Sequence, residues 1–166
     1  KKIYGIDLSP NAIKLCKESH NENTLEFLIG DSENIPFDDG FFDVVINVES
    51  SHCYPSIPKF INEVGRVLKK DGKFLYCDFL INSSINEHLE KLKSDVLLFE
   101  NYTDITNNII KASELMTEQR KNLMKGVNSN FLRKTLESFA AVKGSEIYNS
   151  FVDGHYKYIS LIKTKK

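Results

Sequence analysis

The sequence predicts an α/β domain with a mostly parallel sheet and helices on its faces. Apolar runs alternate with segments of helical period from residue 3 to about 80, at the spacing of βαβ units. The run Phe42 to Val48 is almost continuously apolar, as expected of a parallel strand covered on both faces. Acidic and polar residues collect just after the strand-like runs, the edge where open parallel sheets bind ligands.

Each element has a local signal. Ile3 to Ile6 reads as the end of a buried strand. Ser9-Pro10 then gives a helix cap followed by proline at the first helical position, with Ala12, Ile13, Cys16 and His20 at helical spacing. Leu25, Phe27 and Ile29 alternate as a second strand. Gly30 to Gly40 is a loop, with Pro36 and an Asp38-Asp39-Gly40 turn. After the third strand, Phe42 to Val48, a helix runs from Ile57 to Lys69 with Phe60, Ile61, Val64, Val67 and Leu68 as its apolar stripe. Asp71-Gly72 ends it, and Phe74 to Phe79 is the fourth strand. Beyond, helices are expected around Ile85 to Leu92, from Ile109 to Met124, around Phe131 to Phe139, and at Tyr148 and Phe151. Val96 to Tyr102 reads as a strand, and His155 to Lys163 as a closing one.

With 166 residues the chain is one domain, large enough to bury about 70% of its unfolded surface. A net charge of -1 and the lack of a Lys/Arg stripe exclude a nucleic-acid binder that relies on a basic field. No apolar run approaches the ~20 residues of a membrane span. Lys1-Lys2-Ile3-Tyr4 is not a signal peptide, and the absence of a starting Met suggests truncation. Cys16, Cys53 and Cys77 are odd in number and widely spaced. That pattern gives no disulfide framework and no zinc site, and fits a reducing, cytoplasmic setting. No metal-ligand cluster is present, so metal independence is expected.

The candidate chemistry sits at the strand ends. Asp7 ends a strand and precedes a helix, where a carboxylate can accept from both hydroxyls of a ribose or can cap the helix. Asp31, with Ser32, follows the second strand and can accept from an adenine amino group or from its own backbone. Asn47-Val48-Glu49-Ser50-Ser51-His52 follows the third, and Cys77-Asp78-Phe79 the fourth. Asp43 begins its strand and belongs to the opposite edge.

These pieces, in this order, resemble class I S-adenosylmethionine (SAM)-dependent methyltransferases. Tyr4-Gly5-Ile6-Asp7-Leu8-Ser9-Pro10 looks like their second conserved segment. Gly30-Asp31-Ser32-Glu33-Asn34-Ile35-Pro36-Phe37 looks like their G-D-A-E-x-L-P-F segment, and Phe42-Asp43-Val44-Val45-Ile46 like their fourth strand. Glu63 to Lys73 resembles their E-x-x-R-V-L-K-P-G-G segment. Asp104-Ile105-Thr106 and the tail from Gly144 to Lys163 are similar to small-molecule and lipid O-methyltransferases. Val48 to Pro55 is similar to the corresponding loop of phthiotriolone-type methyltransferases.

The resemblance implies a Rossmann-like, doubly wound sheet with a last antiparallel strand. The family's first strand and glycine-rich loop are absent, which would leave two sheet edges exposed. Residues 1–80 would form the cofactor core, 81–145 a helical region over the acceptor, and 146–166 the closing helix and strand. Asp7 would bind the SAM ribose, with Leu8 also at the cofactor, Asp31 and Ser32 would bind the adenine, and Asn47 would lie near the methionine part.

If the acceptor is a hydroxyl, its proton must be removed, and His52 is the candidate base, oriented by Glu49. His20 and His88 read as surface helix residues, and His155 as the start of the last strand. Leu97, Phe99, Leu115, Met116 and Phe131 suit a hydrophobic acceptor or ordinary core packing, and the acceptor is expected to be a small molecule or lipid-like. Two other readings stand beside this one. A nicotinamide-dependent oxidoreductase would use Asp7 equally, but no Tyr-x-x-x-Lys pair is present. A truncated, non-catalytic binding module would explain the missing loop and would require an oligomer; the sequence leaves the oligomeric state open.

Overall fold

The computed structural model describes the backbone of residues 1–166 and every side chain except that of Glu100. Strand β1 (Ile3–Asp7) leads through α1 (Pro10–Ser19) to β2 (Leu25–Ile29), then β3 (Phe42–Val48), α2 (Ile57–Val67) and β4 (Leu68–Ile81). Helix α3 (Ile85–Lys91), β5 (Leu97–Asp104), α4 (Thr106–Leu123), α5 (Asn130–Phe139), α6 (Glu146–Val152) and β6 (Tyr156–Lys165) complete the order. Serine side chains cap four of the helices. Ser9, Ser56, Ser129 and Ser145 each accept a backbone N–H from the first turn, satisfying a donor that no helical carbonyl can reach.

The expected elements are present with shifted ends. Helix α2 stops at Val67 rather than Lys69, because the chain turns into β4 at Leu68. Asp71 takes the left-handed conformation there, at φ 63°. Gly72 is required for space instead: a Cβ on it would stand 2.8 Å from the Lys69 carbonyl oxygen.

The strands form two hydrogen-bonded sets. β1 and β2 are parallel, with Asp7 level with Ile29. The second set has the order β3-β4-β6-β5, parallel between β3 and β4 and antiparallel across β6. The antiparallel closing strand is therefore found. Among the described residues no strand pairs with the second edge of β1 or of β3. The two sets meet through aromatic rings, with Tyr4 of β1 at 5.0 Å from Phe37 and 5.9 Å from Phe42 of β3.

One face of the larger sheet carries the core. Phe74, Tyr76, Ile159 and Leu161 pack under Ile57, Phe60, Ile61 and Val64 of α2 and under Ile85 and Leu92. Alternation along β3 turns Val44, Ile46 and Val48 to the other face, where Ile46 is 66% exposed, beside Ile162 of β6. The apolar run of β3 is thus covered on one face only, contrary to the sequence expectation. Among the described residues no helix is long and apolar enough to cross a membrane.

Candidate active site

The parallel register of β1 and β2 brings two acids together. The Gly30 N–H donates to the Asp7 carbonyl at 3.1 Å, so Asp7 and Asp31 leave adjacent strand ends. Both carboxylates are exposed. Asp7 accepts the Ser9 N–H on Oδ1 at 2.7 Å, and Asp31 accepts the Glu33 N–H on Oδ1 at 2.8 Å. The helix-capping and turn roles weighed for these acids therefore occupy one oxygen of each. The second oxygen of each is without a hydrogen bond among the described residues. Leu8 is exposed beside Asp7, and Ser32 is half-buried.

The loop that carries Asp31 is fastened to α2. Arg66 donates to the carbonyls of Ile35 and Phe37 and to the carboxylates of Glu63 and Asp39. Glu63 accepts the Ile35 N–H at 2.8 Å, and Glu33 accepts the Ser56 N–H at 2.6 Å. The Arg66 guanidinium holds Glu63 below the usual carboxylate range. Glu63 and Arg66, both in the recognised segment, thus set the loop in place and are not at the strand-end edge. Asp43 pairs with Lys69 at 2.9 Å at the opposite end of β3, as expected.

The ends of β3 and β4 form the second half of the site. Asn47 is buried and its Nδ2 donates to the Tyr54 hydroxyl at 2.9 Å. Its Oδ1 is buried without a partner, an acceptor whose desolvation is uncompensated within the chain. His52 projects from a short 3-10 turn, Ser51–Cys53, with its side chain 30% exposed. Its Nδ1 lies 2.7 Å from Oδ1 of Asp78, a residue with no exposed surface. No hydrogen bond engages its Nε2 among the described residues.

Glu49 does not orient His52, contrary to expectation. It has φ 47° just past the strand, and its N–H donates to the Cys77 carbonyl. Burial pushes the Tyr158 phenol up, and the Glu49 carboxylate beside its hydroxyl adds to the rise. The orienting acid is Asp78, which the sequence placed at this edge without a role. The alternation of β4 carried the signal: Tyr76, Asp78 and Leu80 share the buried face, so an acid there needs partners.

His88 is a second correction. It is half-buried, hydrogen-bonded to the Tyr76 hydroxyl at 2.8 Å, and burial lowers its pKa. His20 and His155 are exposed and flank α1 and β6. The apolar residues expected over an acceptor do not converge. Leu97 and Phe99 belong to the core, whereas Leu115 and Phe131 are about 80% exposed. The ring nearest His52 is Phe79, at 4.7 Å, and Phe79 clusters with Phe151 and Tyr156.

Fold and sequence both point to one class. Residues 1–76 match a family model described as a methyltransferase domain. The chain is 34% identical over 154 residues to a phthiotriol/phenolphthiotriol dimycocerosates methyltransferase of Mycobacterium leprae, covering 93% of this chain and 57% of that protein. It is 33% identical over 139 residues to a fatty-acid O-methyltransferase of Mycolicibacterium smegmatis, covering 84% and 51%. The chain therefore spans little more than half of these curated relatives. A solved geranyl diphosphate C-methyltransferase from Streptomyces coelicolor A3(2) superposes with a TM-score of 0.69 at 17% identity, over 100% of this chain and 63% of that one. The cyclase SpnF superposes with a TM-score of 0.71 at 16% identity, over 99% and 66%. The chain shares the fold of these solved proteins, and its first 76 residues match the methyltransferase domain model. Its sequence is similar to the dimycocerosate and fatty-acid methyltransferases named above.

Proposed function

We propose that this chain forms part of an enzyme that transfers a methyl group from SAM to a hydroxyl of a small, lipid-like acceptor. The observation that carries this reading is the His52–Asp78 pair, past the carboxyl end of β3 as Asp7 and Asp31 stand at the carboxyl ends of β1 and β2. The residues fit the cofactor. The free oxygens of Asp7 and Asp31 suit ribose hydroxyls and an adenine amino group, with Leu8 and Ser32 beside them. The unpartnered Asn47 Oδ1 suits an ammonium donor of the methionine part. SAM supplies a methyl carbon activated by its sulfonium. The chain aligns the acceptor oxygen with that carbon, which lowers the barrier by positioning.

Bound SAM would give up its methyl group and leave as the neutral thioether, and the chain's own part would be to take the proton that the acceptor hydroxyl releases. His52 Nε2 receives the proton, and Asp78 stabilises the imidazolium that forms. Phe79, Phe151 and Tyr156 offer an apolar wall beside the ring. The relatives named for a dimycocerosate and for a fatty acid support a lipid-like acceptor, and the latter an oxygen. The acceptor type separates two chemistries. A fatty carboxylic acid is ionised near neutral pH, its pKa being about 4, and needs no base. An alcohol does. Incubation with labelled SAM and either acceptor class tests the reading. His52→Ala is expected to lose alcohol methylation, and undiminished alcohol methylation by that variant would refute it.

A non-catalytic binding module is the second reading. It is favoured by the unpaired edges of β1 and β3 and by the exposed Val44, Ile46 and Val48. The cyclase SpnF is a reminder that this fold alone does not fix a reaction.

A further inference from the structure

We infer that His88 is a positioning residue that, through Tyr76 and Ser51, holds Asp78 and thereby fixes which ring nitrogen of His52 stays free. The inference rests on the reading of His52 as the base. It follows from counting protons along one string of hydrogen bonds.

Asp78 accepts four. Its Oδ1 takes His52 Nδ1 at 2.7 Å and the Phe79 N–H at 2.9 Å. Its Oδ2 takes the Ser51 hydroxyl at 2.7 Å and the His52 N–H at 3.1 Å. A carboxylate has no proton to give, so the single Ser51 proton points at Asp78. Ser51 Oγ is also 2.9 Å from Tyr76 Oη, and can only accept there. The single Tyr76 proton is spent on that bond. Tyr76 Oη therefore accepts from His88 Nε2 at 2.8 Å, which requires that nitrogen to carry hydrogen.

The string is directed from end to end: His88 Nε2–H to Tyr76, Tyr76 to Ser51, Ser51 to Asp78. On the far side of Asp78 the same logic places a proton on His52 Nδ1 and leaves its Nε2 lone pair free. Ser51 and Asp78 have no exposed surface and Tyr76 has 2%, so water cannot easily replace a missing member. Burial lowers the His88 imidazole, which favours the neutral ring, and raises the Tyr76 phenol, which keeps its proton. A chain of hydrogen bonds polarises its members, so each link strengthens the hold on Asp78. The tautomer of an imidazole is set by the partner of its other nitrogen. Any loosening of Asp78 therefore releases the proton of His52 to either nitrogen.

Nitrogen-15 NMR of the two imidazoles tests this on the chain itself. The parent is expected to show His52 protonated on Nδ1 and His88 on Nε2. Tyr76→Phe and His88→Leu are expected to shift His52 to a mixture of tautomers. His88→Gln, whose carboxamide can still donate to Tyr76, is expected to keep the parental pattern. If His88→Leu does not fold, Tyr76→Phe carries the comparison. A parent with His52 protonated on Nε2, or folded variants whose His52 signals match the parent, would overturn the inference. The tautomers are read without turnover, so the expected tautomer shifts together with undiminished alcohol methylation by His52→Ala would count against the base alone.

Discussion

Asp78 has no exposed surface, yet its Oδ1 meets His52 Nδ1 at 2.7 Å, at the point where the ring becomes 30% exposed. A buried acid thus holds one nitrogen of a surface-reaching imidazole, and no hydrogen bond engages the other among the described residues.

That relationship sets the first prediction. His52→Ala is expected to slow methylation of an alcohol by about 10²–10⁴-fold, the usual worth of general-base catalysis. Asp78→Asn is expected to fall in the same range, because a carboxamide can donate to Nδ1 and stabilise the wrong tautomer. Binding of S-adenosylhomocysteine, measured by calorimetry, should be unchanged in both.

Arg66→Lys tests the fastening of the Asp31 loop. A lysine cannot reproduce the forked contacts to Ile35, Phe37, Glu63 and Asp39. The expected loss is about 1–3 kcal/mol in denaturant unfolding, with weaker S-adenosylhomocysteine binding although Arg66 touches neither proposed nucleoside acid.

Lys163 gives a pH signature. It is 1% exposed, donates to the Leu92 carbonyl and stands over the Phe99 ring, with its pKa lowered by burial to about 8. The unfolded lysine titrates at 10.5. Between these values the unfolded chain binds the extra proton, so stability should rise with pH from about 8, by roughly 1.4 kcal/mol per unit at most. The rise should reverse above about 10. There the unfolded tyrosines ionise, while Tyr76 and Tyr158, both raised by burial, stay protonated in the fold. Lys163→Met should abolish the rise, as followed by urea melts across pH.

The exposed face of β3 and β6 discriminates the second reading. Ile46→Lys with Ile162→Lys, at 66% and 59% exposure, should leave stability within about 0.5 kcal/mol. The pair should also reduce any concentration-dependent association seen by light scattering. A defined oligomer in the parent that both changes abolish would favour the binding module.

Much of this was legible in the sequence because the local signals are short-range. Ser9-Pro10 announces helix α1 and the apolar stripe of Phe60, Ile61, Val64 and Val67 announces α2, and the acids after β1 and β2 follow from where those strands stop. The partner of His52 was not legible in the same way. Glu49 is three residues away, whereas Asp78 is twenty-six away and is brought near only by the parallel pairing of β3 with β4. His88 was hidden for a like reason: a helical position says nothing about a tyrosine hydroxyl on the strand beneath. The exposure of Val44, Ile46 and Val48 reflects which strands and helices are packed around β3, and the run itself carries no such information.

The most direct measurement is a calorimetric titration with S-adenosylhomocysteine of the parent and of Asp7→Ala. A cofactor site at the β1 edge requires saturable binding that weakens about 100-fold or more when the carboxylate is removed, since hydrogen bonds to a charged group are the strong ones. An absence of saturable heat from the folded parent, or an affinity that Asp7→Ala leaves unchanged, would contradict it.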